Sequence, residues 1–269
     1  MSTNIQKVHY QPPARIIPEP EFPFTLSLFK VEICLPMAPV VIFTGENGTG
    51  KSTLLEGIAG NLNLPTLGEL SIQKDPCLRH AMKLANQLRI VQMKKSHRGF
   101  FMRAEDFFAY LKRIELEREE NTAQLHRIDN EYKNRSRWAQ IQAKTVFKGS
   151  LAEIQHNFGE NADGVSHGEG FMSIFRQRFV PKGIYLLDEP EAALSPLSQL
   201  GLIALIKNAT ESGAQFIIAT HSPILMAIPK ALLYNFQNNK ISEIDFESSE
   251  HVQFYKDFLT NPQNFLRRL

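Results

Sequence analysis

The chain of 269 residues carries 30 Lys and Arg against 28 Asp and Glu, and 43% of its residues are hydrophobic. That size and balance suit one large α/β domain, or one domain with an insertion, and a net charge of +2 excludes binding to nucleic acid or membrane by bulk charge alone. Two cysteines without metal-ligand spacing exclude a disulfide framework and a zinc site, and no apolar run approaches the ~20 residues that span a bilayer.

Taken in chain order, the first twenty-odd residues, with Pro12, Pro13, Pro18, Pro20 and Pro23, predict an extended arm. Alternation from Phe24 to Leu35 predicts a β-hairpin or two half-buried strands. Val40-Val41-Ile42-Phe43 is a buried strand that runs into Gly45-Glu46-Asn47-Gly48-Thr49-Gly50-Lys51-Ser52-Thr53, and Leu54 to about Ala59 reads as the helix that follows. A turn-rich stretch with Pro65 and Gly68 leads to Leu70-Ser71-Ile72, and Leu88 to Met93 is a strand ending in a charged loop. The stretch from Ala104 to Ile154 holds no proline, no glycine before Gly149, and many Glu, Arg, Lys, Gln and Leu. It predicts two or three helices within an insertion of about 104–158. Leu125, Ile128 and Tyr132 sit at heptad spacing, but Arg118 and Asn121 occupy the preceding seam positions, so a compact insertion is expected rather than a long rod.

The remainder alternates again. Ile184 to Leu187 and Gln215 to Thr220 are buried strands; Ser195 to Lys207 is a helix opening at Pro196; Leu232–Phe236 and Ile241–Phe246 form a hairpin turning at Asn238-Asn239. Glu250–Leu259 and Asn264–Leu269 are helical. This order predicts a mainly parallel sheet with helices packed on it. The basic clusters Lys94, Lys95, His97, Arg98, then Arg113 and Arg118, then Arg135 and Arg137, read as solvated faces or loops.

The chemistry begins at residues 45–53, which match G-x-x-x-x-G-K-[ST] between a strand and a helix. Glycines let consecutive backbone N–H groups converge on phosphate oxygens, and the helix N-terminus adds a favourable dipole. Lys51 then suits the β- and γ-phosphates and Ser52 a Mg²⁺ ion. Asp188-Glu189 ends a buried strand, where two carboxylates are costly unless they meet a metal or substrate; the alternative is a capping pair for the next helix. Asp188 can face the Mg²⁺ while Glu189 faces the attacking water. His221 also follows a strand, where open α/β sheets bind ligands, although a lone histidine there also fits a structural role. Ser166-His167-Gly168-Glu169-Gly170 precedes a helical pattern, and those residues alone equally describe a serine-capped helix start.

The ordered set resembles the ATP-binding cassette superfamily, in the branch that includes SMC, RecF-like and double-strand-break repair ATPases, and looks most like small bacterial ATPases with an internal helical insert. The resemblance implies an α/β P-loop NTPase of the cassette head type, with an N-terminal antiparallel β element and a helical insertion. It makes Gly45–Thr53 the phosphate loop, Gln92 the Q-loop glutamine and a further Mg²⁺ contact, Ser166, Gly168 and Glu169 the signature, Asp188 and Glu189 the Walker B pair, Ala193-Leu194-Ser195 the D-loop and His221 the switch histidine. Lys51, Gln92, Glu189 and His221 are thereby implied in catalysis, with ATP and Mg²⁺ as ligands. Three features depart from the pattern: His167 replaces the usual first signature glycine, Ser195 stands where many cassettes have Asp, and the insert is far shorter than an SMC arm.

The resemblance also implies a homodimer that sandwiches two ATP molecules, each site pairing one phosphate loop with the other chain's signature. Three roles are expected to compete. The first is a switch ATPase working with a partner nuclease or toxin, and with nucleic acid, in maintenance or defence against phage. The second is the nucleotide-binding subunit of a membrane transporter, and the third a nucleotide-gated scaffold with little turnover. A cytoplasmic location away from membrane is expected, since residues Ile5 to Glu21 are polar and proline-rich.

Overall fold

The computed structural model describes residues 3–13, 21–67, 78–93, 98–133, 135–158 and 167–267. Two sheets organise it. Strands β1 (Ile5–Tyr10), β2 (Ile33–Pro36) and β4 (Leu88–Gln92) form a small antiparallel sheet in the order β2-β1-β4. The six-stranded sheet contains β3 (Val40–Gly45), β5 (Gly99–Arg103), β6 (Ile184–Asp188), β7 (Gln215–Ala219), β8 (Leu232–Gln237) and β9 (Lys240–Ile244), ordered β5-β6-β7-β3-β8-β9. All its pairings are parallel except β8 with β9. The central strands β6 and β7 are buried at every residue, as a sheet covered on both faces requires.

Helices α1 (Lys51–Leu62) and α2 (Arg79–Ala85) join the small sheet over one face, in a core that includes Leu54, Ile58, Leu84, Val8 and Phe43. Helices α3 (Ala104–Glu131) and α4 (Arg137–Phe158) form an antiparallel hairpin, and α5 (His167–Arg178) and α6 (Pro196–Glu211) cover the other face of the large sheet. There Phe175 and Phe179 pack against Phe100, Tyr185 and Phe216. Short α7 (Pro223–Met226), amphipathic α8 (Glu250–Thr260) and α9 (Gln263–Leu266) complete the described chain.

The expected mainly parallel sheet, the antiparallel N-terminal element and the hairpin at Asn238-Asn239 are all present. Both asparagines take positive φ, at 50° and 62°, as the tight turn demands.

Two local expectations are corrected. The arm's beginning is β1, because Ile5, Val8 and Tyr10 bury their side chains and the prolines come only after it. Between Phe24 and Leu35 a 3-10 turn at Ser27–Lys30 precedes a single strand, β2, rather than a hairpin. Strand β5 and helix α2 were not foreseen. The insertion is a two-helix hairpin, its long α3 running ~42 Å at ~1.5 Å per residue. It manages without a heptad seam because polar side chains hold it. Asn121 Nδ2 donates to Ser150 Oγ at 3.0 Å, Ser150 Oγ donates to Glu117 Oε1 at 3.2 Å, and Lys144 pairs with Asp129. The expected segment Leu70-Ser71-Ile72 and the basic residues Lys94, Lys95 and His97 lie outside the described residues.

Candidate functional site

The carboxyl ends of β6, β7 and β3, which lie side by side in that order, converge on one edge of the sheet. From β3 the chain enters the phosphate loop. Gly48 at φ 77° and Gly50 at φ 98° supply left-handed backbone that residues with a Cβ rarely adopt. Thr49 Oγ1 donates to the Glu46 carbonyl at 2.8 Å and braces the turn, while Glu46 and Asn47 stay exposed. Lys51 is buried to 4% exposure, and its Nζ donates to the carbonyls of Gly45 and Glu46 at 2.8 and 2.7 Å. A buried ammonium that meets only carbonyl oxygens beside a glycine-lined turn fits polyphosphate oxygens. Burial pulls the Lys51 amine below the usual lysine range, against an upward pull from Glu189, Asp188 and Glu191.

Ser52, on the first turn of α1, donates from Oγ to Asp188 Oδ1 at 3.0 Å. Burial pushes the Asp188 carboxyl up to about 7, with neighbouring Glu56 and Glu189 adding to the rise and Ser52 and Lys51 opposing it. A hydroxyl and a buried carboxyl in contact, both oxygen donors, suit a hard divalent cation of the Mg²⁺ type, which would replace the proton. The donor set therefore fits the ion.

Glu189 breaks the run of β6. Its backbone is left-handed, φ 48° and ψ 50°, and its side chain is 47% exposed. Its Oε1 stands 3.9 Å from Nε2 of His221. That Nε2 is buried without a hydrogen-bond partner among the described residues. Burial lowers the His221 pKa, and the Lys51 charge lowers it further, so the ring is neutral near pH 7.

The backbone of His221 is clamped on both sides by residues the sequence did not single out. Its N–H donates to Glu191 Oε1 at 2.6 Å, and its carbonyl accepts from His251 Nε2 of α8 at 2.6 Å. Glu191 lies two residues after Glu189, in the run Asp188-Glu189-Pro190-Glu191; no local signal marks His251. Burial raises the Glu191 pKa, although its bonds to backbone N–H groups pull it back.

Lys51, Ser52, Asp188, Glu189 and His221 are thus brought together with Glu46, Asn47, Gly48, Thr49 and Gly50. Thr53 is directed inward, 9% exposed. Gln92 is not in this group. It pairs with Ile5, whose N–H donates to Gln215 Oε1 at 2.7 Å, and Gln215 opens β7 at the amino end of the sheet. A glutamine on the small sheet therefore sits a strand's length from the loop and cannot serve as its Q-loop residue. The strand that does lead to this edge is β5, whose last residue, Arg103, lies in register with Asp188. Of the expected signature, Ser166 lies outside the described residues, while Gly168 and Glu169 fall in the first turn of α5.

Comparison with known proteins defines the class. The ABC transporter family model matches residues 28–192, well over half of the chain, and the chain belongs to that family. It is an ATP-binding ATPase. A second model, described as an AAA domain, matches residues 170–227. The thiamine import ATP-binding protein ThiQ of Vibrio parahaemolyticus is 25% identical over 243 residues, 88% of this chain and 94% of that protein. The cytochrome c biogenesis ATP-binding export protein CcmA of Rhizobium meliloti is 28% identical over 204 residues, 75% of this chain and 87% of that protein. Among solved structures, the Smc head bound to the C-winged helix domain of ScpA matches at TM-score 0.47 and 15% identity, over 90% of this chain and 98% of that one. No helix among the described residues is long and apolar enough to cross a membrane.

Proposed function

We propose that the protein is a switch ATPase, a single domain over 1–269 with its helical insertion at 104–158, which forms a homodimer around ATP and works with a partner protein on nucleic acid in the cytoplasm, in maintenance or defence against phage. The observation that carries this reading is the pair Glu189 and His221. A half-exposed carboxylate and a buried, unpartnered imidazole nitrogen stand 3.9 Å apart at the mouth of the phosphate loop. They frame a place for a γ-phosphate and its attacking water.

In this reading Lys51 and the loop N–H groups hold the β- and γ-phosphates. Ser52 and Asp188 hold Mg²⁺, which neutralises charge on the phosphate oxygens. Glu189 accepts a proton from water, and neutral His221 donates from its ring to the γ-phosphate oxygen. The second wall comes from the other chain, through Ser166, Gly168 and Glu169. A site split between two chains is complete only when the γ-phosphate bridges them, so ATP favours the closed dimer and hydrolysis releases it.

The test is the mass of the Glu189→Gln protein in solution with ATP and Mg²⁺, by sedimentation. It should double, and adding Ser166→Arg should return it to the ATP-free value while ATP still binds. A Glu189→Gln protein that binds ATP and keeps its ATP-free mass ends the dimer reading. A second reading, the ATP-binding subunit of a membrane transporter, draws support from the import and export proteins that align over most of the chain. Stable copurification with a membrane-spanning subunit would favour it.

A further inference from the structure

The far end of the α3–α4 hairpin has a composition unlike the rest of the molecule. Between Glu131 and Glu153 the chain carries Lys133, Arg135, Arg137, Lys144 and Lys148 and not one carboxylate. Among the described residues, Lys144 is the one with a close carboxylate partner, Asp129. Lys133, Arg135 and Arg137 are exposed at the connection between the helices, with no ion pair among the described residues. Gln140 Nε2 donates to the Tyr132 carbonyl at 2.9 Å and to the Arg135 carbonyl at 3.3 Å.

Directly beside these cations stands Trp138, the only tryptophan in the chain, 69% exposed on the first turn of α4. Ile154, where α4 joins the core, lies 16 residues further on, so the ring is held about 24 Å out along the helix. A large aromatic left in water at the far end of the hairpin, close in sequence to arginines without an ion pair among the described residues, is not explained by packing.

We propose that this tip is a binding site for single-stranded nucleic acid: Arg135, Arg137 and Lys133 take backbone phosphates, and a base stacks on Trp138. The cations supply the counterion-releasing contacts that polyanion binding needs, and the indole supplies a flat face that any base can use. The guanidinium forks suit phosphate geometry. An anionic membrane fits less well. The outer face of α4 reads Trp138, Ile141, Gln142, Thr145, Val146 and Gly149, so half of what would enter the acyl boundary is polar or lacks a side chain. The inference deepens the nucleic-acid part of the proposed function and does not depend on the ATP dimer.

Trp138 is its own probe. Titrating the full chain with a 30-nucleotide oligo(dT), and separately with oligo(U) and a duplex of equal length, should quench its fluorescence saturably with the single strands. The duplex should give less quenching. Affinity should fall steeply between 50 and 200 mM salt, with a log–log slope of about −2 for three neutralised phosphates. By anisotropy of labelled oligo(dT), Arg135→Glu with Arg137→Glu should weaken binding about tenfold or more, and Trp138→Ala by about fivefold or more, while Trp138→Phe retains most of the affinity. Each variant should keep wild-type helicity and ATP affinity, which separates a lost tip from a lost fold. Binding of oligo(dT) that is unchanged by the double charge reversal would overturn the site. So would the absence of quenching, or a blue shift seen only with 3:1 phosphatidylcholine–phosphatidylserine vesicles, which would assign the tip to membrane. Failure here with a normal ATP-dependent doubling of the Glu189→Gln mass would leave the dimer reading standing; the converse would leave the tip standing.

Discussion

Ser52 Oγ lies 3.0 Å from Asp188 Oδ1, across 136 residues of sequence, and this contact ties the first turn of the phosphate-loop helix to the end of β6. It brings a hydroxyl and a carboxyl into a buried place where the carboxyl is most stable protonated until a cation arrives. The contact is a structural joint, and its two oxygens are the donors proposed above for Mg²⁺.

A pH dependence follows from Asp188. Burial pushes its folded-state carboxyl up to about 7, from 3.8 when exposed. The native state thus holds a proton that the unfolded chain has released. Its stabilisation is complete below about pH 4 and is lost as pH rises through about 7. Asp188→Asn cannot ionise, so it should stabilise the nucleotide-free protein at pH 8 by roughly 1–4 kcal/mol and change it little at pH 4. Thermal denaturation at the two pH values checks this, and an Asn variant less stable at pH 8 would contradict it. The same variant should lose Mg²⁺-dependent gains in ATP affinity.

Lys51→Ala removes the side-chain cation that, among the described residues, lies on the phosphate loop. ATP affinity should fall about a hundredfold or more, since a buried charge-assisted contact to phosphate is lost. Because the ammonium is itself buried at a cost, the ligand-free protein should not be destabilised. Calorimetric titration with ATP and a melting curve without it separate the two effects. Equal ATP affinity in both proteins would remove the loop from the nucleotide site.

His251 should matter to turnover without touching nucleotide. Its Nε2 donates to the His221 carbonyl at 2.6 Å, fixing from α8 the turn that carries the His221 ring. His251→Leu should lower kcat about tenfold or more and leave KM for ATP within about threefold, as expected for a group that aligns a reacting side chain. His251→Gln can still donate an N–H and should restore part of the loss. If Gln and Leu behave alike, or if KM moves with kcat, the positioning role is wrong.

What the sequence made legible was contiguous. The phosphate loop and the Asp188-Glu189 pair each lie within a few residues that carry their own strand, turn and charge pattern. The misplaced Gln92 shows where that stops. Strands β4 and β5 are near neighbours in sequence, yet one joins the small sheet and the other the large one, and only long-range pairing decides which. The clue was Gly99. It takes φ 123°, and a Cβ there would fall 1.8 Å from the Ile184 carbonyl oxygen, which marks β5 as the strand pressed against β6. Strand β1 was hidden for a different reason, a register shift between Ile5 and Lys7 that breaks its alternation. His251 comes from a helix 30 residues beyond His221, and nothing in its local sequence points back to the turn it holds.

Arg103 joins the site to the hairpin, and its substitution should act on the joint rather than on nucleotide. Its guanidinium is 13% exposed. It pairs with Asp106 through Nη2 at 2.7 Å and Nε at 3.0 Å, and with Glu105 through Nη1 at 3.0 Å. Asp106 also accepts the Arg103 backbone N–H at 3.3 Å, which closes the first turn of α3 onto the end of β5. Arg103→Ala should cost about 1.5–3 kcal/mol, because it leaves part-buried Asp106 short of its charged donor. Arg103→Lys should recover little, since an ammonium cannot present two parallel N–H groups to one carboxylate. ATP affinity should stay within about threefold in both variants, as the phosphate loop is untouched. Melting temperature and calorimetric ATP affinity are the readouts. A lysine variant as stable as wild type would show that charge alone, not the forked geometry, holds the hairpin to the sheet.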